Sequence, residues 1–124
     1  MTAAESPEFD PAIPLGYLQM TGRVSGQPRE TEIWFAYENG SIYILSGGGL
    51  NKDWIRNLRK TPHVRFLVGD VWVNGTARVI EDAVLDARIR RVVAAKYYHF
   101  DPDSDAPLPN EWSRTASPVV IDLA

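Results

Sequence analysis

Residues 46–60, SGGGLNKDWIRNLRK, hold the change of pattern on which the fold turns. A strand-like run ends at Ser46, three glycines (Gly47, Gly48, Gly49) interrupt it, and a short basic helix follows with Lys52, Arg56, Arg59 and Lys60. Glycine lets backbone approach a ligand closely, and the first turn of a helix presents unpaired N–H groups to an anion. The stretch therefore reads as a place for phosphate or carboxylate, or more plainly as a loop before a solvent-facing amphipathic helix. Asn51 or Asp53 caps that helix, Trp54, Ile55 and Leu58 form its apolar stripe, and Pro62 ends it.

Working upstream, Thr31–Tyr37 reads as a strand and Ser41–Ser46 as its antiparallel return, with Ile42 and Ile44 on one face and Tyr43 and Leu45 on the other. Asn39-Gly40 between them suits a two-residue type I′ turn, since both residues tolerate positive φ. The segment 21–30, TGRVSGQPRE, holds two glycines and Pro28 and reads as a connection or a wide turn. Its Arg23 and Arg29 each offer a planar fork to an oxyanion, with Ser25 and Gly26 between them. It lacks the Gly-Lys-Ser/Thr of a phosphate-binding P-loop. A hairpin over 31–46 brings Ser46 back to the end where Arg29 stands, so the two anion-binding clusters are expected together. Leu15–Met20 is a short strand or helical turn, and residues 1–14, with three prolines, are a loose tail ahead of one domain spanning 15–124.

Downstream, Val64–Val68, a Gly69-Asp70 turn and Val71–Glu81 make a second hairpin, in which Gly75 hints at a bulge or bend. Asp82 caps a helix over about 83–98, with Leu85, Ile89, Val92 or Val93 and Lys96 at helical spacing and Arg88, Arg90 and Arg91 on the wet side. Tyr97 and Tyr98 end it, one facing the core and the other a pocket. A tyrosine hydroxyl there suits hydrogen-bond donation or weak acid work. Residues 101–117 read as an irregular loop and Val119–Leu123 as a last strand. Asp101, Asp103 and Asp105 open like a calcium loop, but Ala106 and Trp112 occupy the positions that need glycine and glutamate. No βαβ series is present; the order fits a mainly β chain, a small barrel with two helices.

The net charge of −3 argues against a broad nucleic-acid surface without excluding a local positive pocket. Cysteine is absent and only His63 and His99 are available, so thiolate chemistry is excluded and a histidine metal site disfavoured. No secretory pattern opens the chain and no apolar run reaches the roughly 18 residues of a membrane span. A cytoplasmic location, with membrane-peripheral binding as a variant, is expected. Lacking a nucleophile with a paired base, the chain leaves any chemistry to a bound cofactor.

The ordered series Thr21-Gly22-Arg23-Val24-Ser25-Gly26-Gln27-Pro28-Arg29, Ser46-Gly47-Gly48-Gly49 and Asp53-Trp54-Ile55-Arg56-Asn57-Leu58, with Pro62 and Gly69, resembles the deazaflavin-dependent nitroreductase family over about residues 21–98. The family comprises actinobacterial proteins of the flavin-reductase-like split β-barrel (the FMN-binding split-barrel fold). The resemblance implies binding of the reduced 8-hydroxy-5-deazaflavin coenzyme F420 and hydride transfer to a quinone, nitroaromatic or activated enone. Carried over by position, Arg23, Ser25, Gly26 and Arg29 hold the phosphate and acidic tail, assisted by Lys52, Trp54, Arg56 and Asn57. Ser46 and glycines 47–49 lie against the ring or acceptor, with Ser46 as hydrogen-bond donor and Tyr97 or Tyr98 as aromatic wall. Better-studied branches carry a lysine where this chain has Gly47 and a proline where it has Asp53. Other barrels of this kind bind FMN, haem or fatty acids, so a non-catalytic carrier of a lipid or anionic small molecule is the alternative. A homodimer and a monomer are both compatible.

Overall fold

In the computed structural model, which describes residues 8–47 and 52–124, the chain is organised by one curled sheet. Its strands are β1 (Gly16–Thr21), β2 (Pro28–Ile33), β3 (Ala36–Glu38), β4 (Ser41–Ser46), β5 (His63–Val68), β6 (Val71–Val79) and β7 (Ser117–Leu123). They lie in the order β2-β1-β5-β6-β7-β4-β3, every neighbouring pair antiparallel. Among the described residues three helices accompany them: α1 (Asp53–Lys60), α2 (Ala83–Tyr98) and α3 (Glu111–Thr115). Gly48, Gly49 and Asn51 fall outside the described residues.

The single strand expected over Thr31–Tyr37 is two strands, and this correction governs the topology. Pro28–Ile33 pairs with β1 at one edge of the sheet, while Ala36–Glu38 pairs with β4 at the opposite edge. Only Trp34 and Phe35 connect them. In a flat sheet six strand spacings would separate these edges by about 29 Å. Three Cα steps, from Ile33 to Ala36, reach at most about 11 Å. The sheet must therefore roll into a barrel whose edges meet at Phe35, which is wholly buried. The hairpin closing on Asn39-Gly40 is shorter than expected, 36–46, but its turn has positive φ at both residues (51° and 83°), as a type I′ turn requires.

The barrel interior is filled by Leu18, Phe35, Ile42, Ile44, Phe66 and Ile121, with Ile55 and Leu58 of α1 closing one end. α2 covers the outside of the β3-β4-β7 wall, where Tyr43, Leu45 and Val120 meet Ile89 and Val93. That second layer explains why β4 is apolar on both faces: each face has a cover. Asp82 caps α2 through hydrogen bonds from the backbone N–H groups of Val84 and Leu85. α1 differs from expectation at its start, where Lys52 occupies the cap position without a side-chain cap. Gly75 marks close approach rather than a bulge: pairing runs evenly through it, and a Cβ there would stand 2.5 Å from Ile121 Cγ2 and 2.9 Å from the Asp122 carbonyl oxygen.

Three further expectations give way. Phe9 is buried in the core against Phe35 and Tyr37, so the loose tail does not extend through residues 8–14. Residues 101–117 contain α3, nucleated by a capping box in which the Asn110 side chain accepts from Ser113 N–H and the Ser113 hydroxyl reaches back to Asn110. The arginines of α2 do not face water alone. Arg88 bonds Glu38 and Asp103, Arg90 bonds Asp86 and the Ser113 carbonyl, and Arg91 bonds the carbonyls of Ser104 and Ala106. They strap the 101–117 segment onto the helix.

Candidate functional site

The segment between β1 and β2 is a tight turn. Gly22 N–H donates to the Gln27 carbonyl (2.8 Å), Gly26 N–H to the Gly22 carbonyl (2.9 Å), and Gly26 has φ 72°. At Gly22 a Cβ would lie 3.1 Å from Ser25 Oγ and 3.2 Å from Arg29 Nε, so a side chain there would press on both polar groups. α1 docks on this turn by polar contacts. Asn57, 7% exposed, accepts at Oδ1 from Arg23 N–H (3.0 Å) and Arg23 Nη1 (3.1 Å). Arg23 Nη2 meets Asp53 Oδ1 at 3.2 Å, and Lys60 Nζ donates to the Arg23 carbonyl. A buried asparagine in an eight-residue helix is explained by those two donors.

Turn and helix enclose a crevice of about 490 Å³ lined by Arg23, Ser25, Arg29, Asp53, Trp54 and Asn57, among others. Five expected residues thus meet: Arg23, Ser25, Arg29, Trp54 and Asn57. Lys52 and Arg56 are exposed on or beside the same helix but outside the lining, and Gly26 lines a different cavity across the turn. Sequence reasoning gave Asp53 a capping role; it instead takes up part of the Arg23 charge. Arg29 has no ion-pair partner among the described residues, which leaves its guanidinium available. A free guanidinium, a hydroxyl and a side-chain-free backbone position at Gly22 suit a phosphate or carboxylate group, so the residues present fit the anionic part of a deazaflavin coenzyme.

At the end of β4, Ser46 is buried, opposite Ser117 of β7. Trp112 of α3 lies over Gly47, its Cδ1 and Nε1 3.3 Å from where a Cβ would be. Around it gather Trp34, edge-on at 5.6 Å between centroids, and Tyr98 at 6.4 Å. Trp34 and Tyr98 are 40% and 36% exposed, unusual for such large rings, and leave ring surface open to a flat ligand. Tyr97 is placed differently. It stacks on Trp34 at 4.3 Å, while its hydroxyl accepts from Phe35 N–H (2.9 Å) and faces the carbonyls of Pro14 (2.7 Å) and Phe35 (2.9 Å). Burial pushes its pKa up. Tyr97 therefore seals the seam of the barrel, and of the two tyrosines Tyr98 is the one turned outward. Trp34 and Trp112 were not singled out beforehand. The local signal for a helix presenting Trp112 is the Asn110-x-x-Ser113 spacing after Pro109.

Gly47 and Lys52 are five Cα steps apart, so the aromatic cluster and α1 are joined by a span of at most about 18 Å.

Comparison with known proteins bears on both halves. The sequence model of the F420H(2)-dependent quinone reductase family matches residues 4–109. A conserved hypothetical protein of Mycobacterium tuberculosis is similar at 25% identity, with TM-score 0.71 over 86% of this chain and 71% of that one. An F420-H2 dependent reductase shares the fold at 19% identity and TM-score 0.59, covering 87% and 93% of the two chains. A putative 5-nitroimidazole antibiotic resistance protein of Bacteroides thetaiotaomicron does so at 15% identity and TM-score 0.69, covering 90% and 73%. The split-barrel fold expected from the motif series is thus the observed one, with three helices among the described residues rather than two. With the family's model spanning most of its length, the chain belongs to the F420H(2)-dependent quinone reductases, reductases that draw on a reduced deazaflavin.

Proposed function

We propose that this protein passes hydride from reduced F420 to a flat electrophilic acceptor, a quinone before a nitroaromatic or enone. The observation carrying this reading is the polar docking of Arg23 onto Asn57 and Asp53, which forms one crevice from the turn and the basic helix. Arg29, Ser25 and the Arg23 fork would hold the phosphate and acidic tail, with Lys52 and Arg56 adding positive potential from α1 and Trp54 packing alongside. When bound, the reduced deazaflavin supplies the hydride. The chain contributes position and dryness: Gly47 lets the Trp112 ring pack close to the backbone, and Trp34, Tyr98 and Trp112 would clasp the planar acceptor at near-attack distance. Ser46 at the strand end would donate toward the acceptor oxygen, and Tyr98 or solvent would return a proton to it. The exposed Tyr17 and Trp72 on the outer sheet are compatible with a homodimer.

The test is anaerobic oxidation of reduced F420 followed optically against quinone and nitroaromatic panels, with reduced FMN as control. Turnover with quinones and F420 that falls in Arg29→Ala and Tyr98→Ala supports the reading. Fatty-acid binding with indifference to either coenzyme would replace it with a carrier function, and turnover with FMN alone would replace the coenzyme.

A further inference from the structure

The ladder between β1 and β5 stops early. Tyr17, Leu18 and Gln19 pair with Leu67, Phe66 and Arg65, but β1 runs on to Thr21 and β5 begins at His63. Each strand keeps its other partner through this region: Met20 and Thr21 face Arg29 and Pro28, while His63 and Val64 face Thr76 and Gly75. The two strands therefore diverge from each other past Gln19 and Arg65. A cavity of about 430 Å³ occupies the opening, lined by Gln19, Thr21, Gly26, His63, Arg65 and Asn74 among others.

Its position is informative. Gly26 and Pro28 line this cavity, while Gly22, Arg23, Ser25 and Arg29 line the 490 Å³ crevice, and Met20 lines both. The two hollows lie on either side of one six-residue turn, so a ligand anchored at Ser25 and Arg29 has a short path over Gly26 into the split. The side chain at Gly26 cannot block that path, and nothing stands within 4 Å of where its Cβ would be.

The lining chemistry selects an anion. Arg65 is exposed, lies 4.3 Å over the Trp72 ring, and makes a 3.5 Å contact with Gln19 Oε1. It belongs to none of the ion pairs among the described residues. Trp72 carries the guanidinium on its ring face, and apart from the long bond to Gln19 the fork meets no carboxylate among the described residues, an arrangement suited to receiving one. His63 and Asn74 add N–H donors. Two carboxylates lie near: Glu30, one strand beyond Gln19 in the row of Arg65 and a liner of the other crevice, and Asp122, one strand beyond Thr76 in the row of His63 and already paired with Arg78.

We propose that the β1–β5 split is a second anion subsite, in which Arg65, with His63 and Asn74, receives a distal carboxylate of the acidic tail of the same coenzyme. This rests on the coenzyme reading above and adds residues beyond the turn, glycine and helix motifs of the first crevice. The turn then acts as a saddle, with phosphate on one flank and tail carboxylate on the other.

Fluorescence titration separates the possibilities. The ligands are F420 bearing several tail carboxylates and its truncated form that keeps the phosphate but lacks the acidic residues. Arg65→Gln is expected to weaken binding of the long-tailed form by roughly two- to fivefold at low salt, the size of one partly exposed ion pair. The loss should shrink at high ionic strength, the truncated form should bind unchanged, and Arg65→Lys should recover part of the loss. His63→Gln serves as an independent probe should Arg65→Gln prove unstable by thermal melting. Equal losses for both forms, or no loss for the long tail in either variant, overturn the subsite while leaving the coenzyme assignment intact. Failure of wild-type protein to bind either form overturns the assignment and the subsite together.

Discussion

Arg23 is drawn in two directions, toward a ligand in the crevice and toward Asp53 at 3.2 Å. Asp53→Asn should tighten anion binding by about two- to fivefold, because the guanidinium no longer shares its charge with a carboxylate. Titration with F420 checks this; unchanged or weaker affinity would place Asp53 among the ligand's own supports. The same substitution removes an acid from the first turn of α1 and should lower stability by about 0.3–1 kcal/mol. Tyr97 calls for a different experiment. Tyr97→Phe deprives the Phe35 N–H of its acceptor inside the seam, a loss of about 1–3 kcal/mol in urea unfolding. Turnover by the surviving folded fraction should change little, since the hydroxyl is occupied with backbone.

Among the elements, α3 has most influence on the acceptor end despite its five residues. It presents Trp112 over Gly47 and depends on a capping box and on the Arg90 contact to the Ser113 carbonyl (3.1 Å). Asn110→Ala removes the side-chain cap, which costs about 1 kcal/mol locally. The expected result is a raised KM for quinone with an unchanged Kd for F420, read by steady-state kinetics beside equilibrium titration. A parallel rise in both would mean that α3 supports the whole barrel instead. The type I′ turn at Asn39-Gly40 and the Asp82 cap were legible in advance because each depends only on residues a few positions apart. α3 was hidden by Pro102, Pro107 and Pro109, which make the whole segment look irregular.

At the scale of the whole molecule, the barrel is closed by a seam rather than by hydrogen bonds between its edge strands. Lys96 lies at that seam, its Nζ donating to the Ile13 carbonyl (2.7 Å) and standing 3.5 Å from the Phe35 ring centroid. Burial lowers its pKa to about 8, with Asp10 pulling the other way. The folded-state value is below the unfolded value of about 10.4, so between these limits the unfolded chain binds more protons and stability rises with pH. Wild-type stability relative to Lys96→Met should therefore climb from pH 8 toward pH 10, measured by urea unfolding in matched buffers. A flat difference would mean that the ring and the carbonyl hold the charged form as well as water does.

Local chemistry in the chain determined the two hairpin turns and the start of α2. These depend on interactions between near neighbours, which the order of residues states directly. Tertiary structure decided where the run from Thr31 to Tyr37 breaks, because TEIWFAYE is uninterrupted as local β sequence. Its break at Trp34-Phe35 comes from the need to bring two sheet edges together around a buried Phe35. It also decided which charges stay available: Arg23 shares its charge with Asp53 and Arg88 is taken up by Glu38, while Arg29 and Arg65 are left without ion-pair partners among the described residues. Ion pairing depends on distance in space, and these partners lie far apart in the chain.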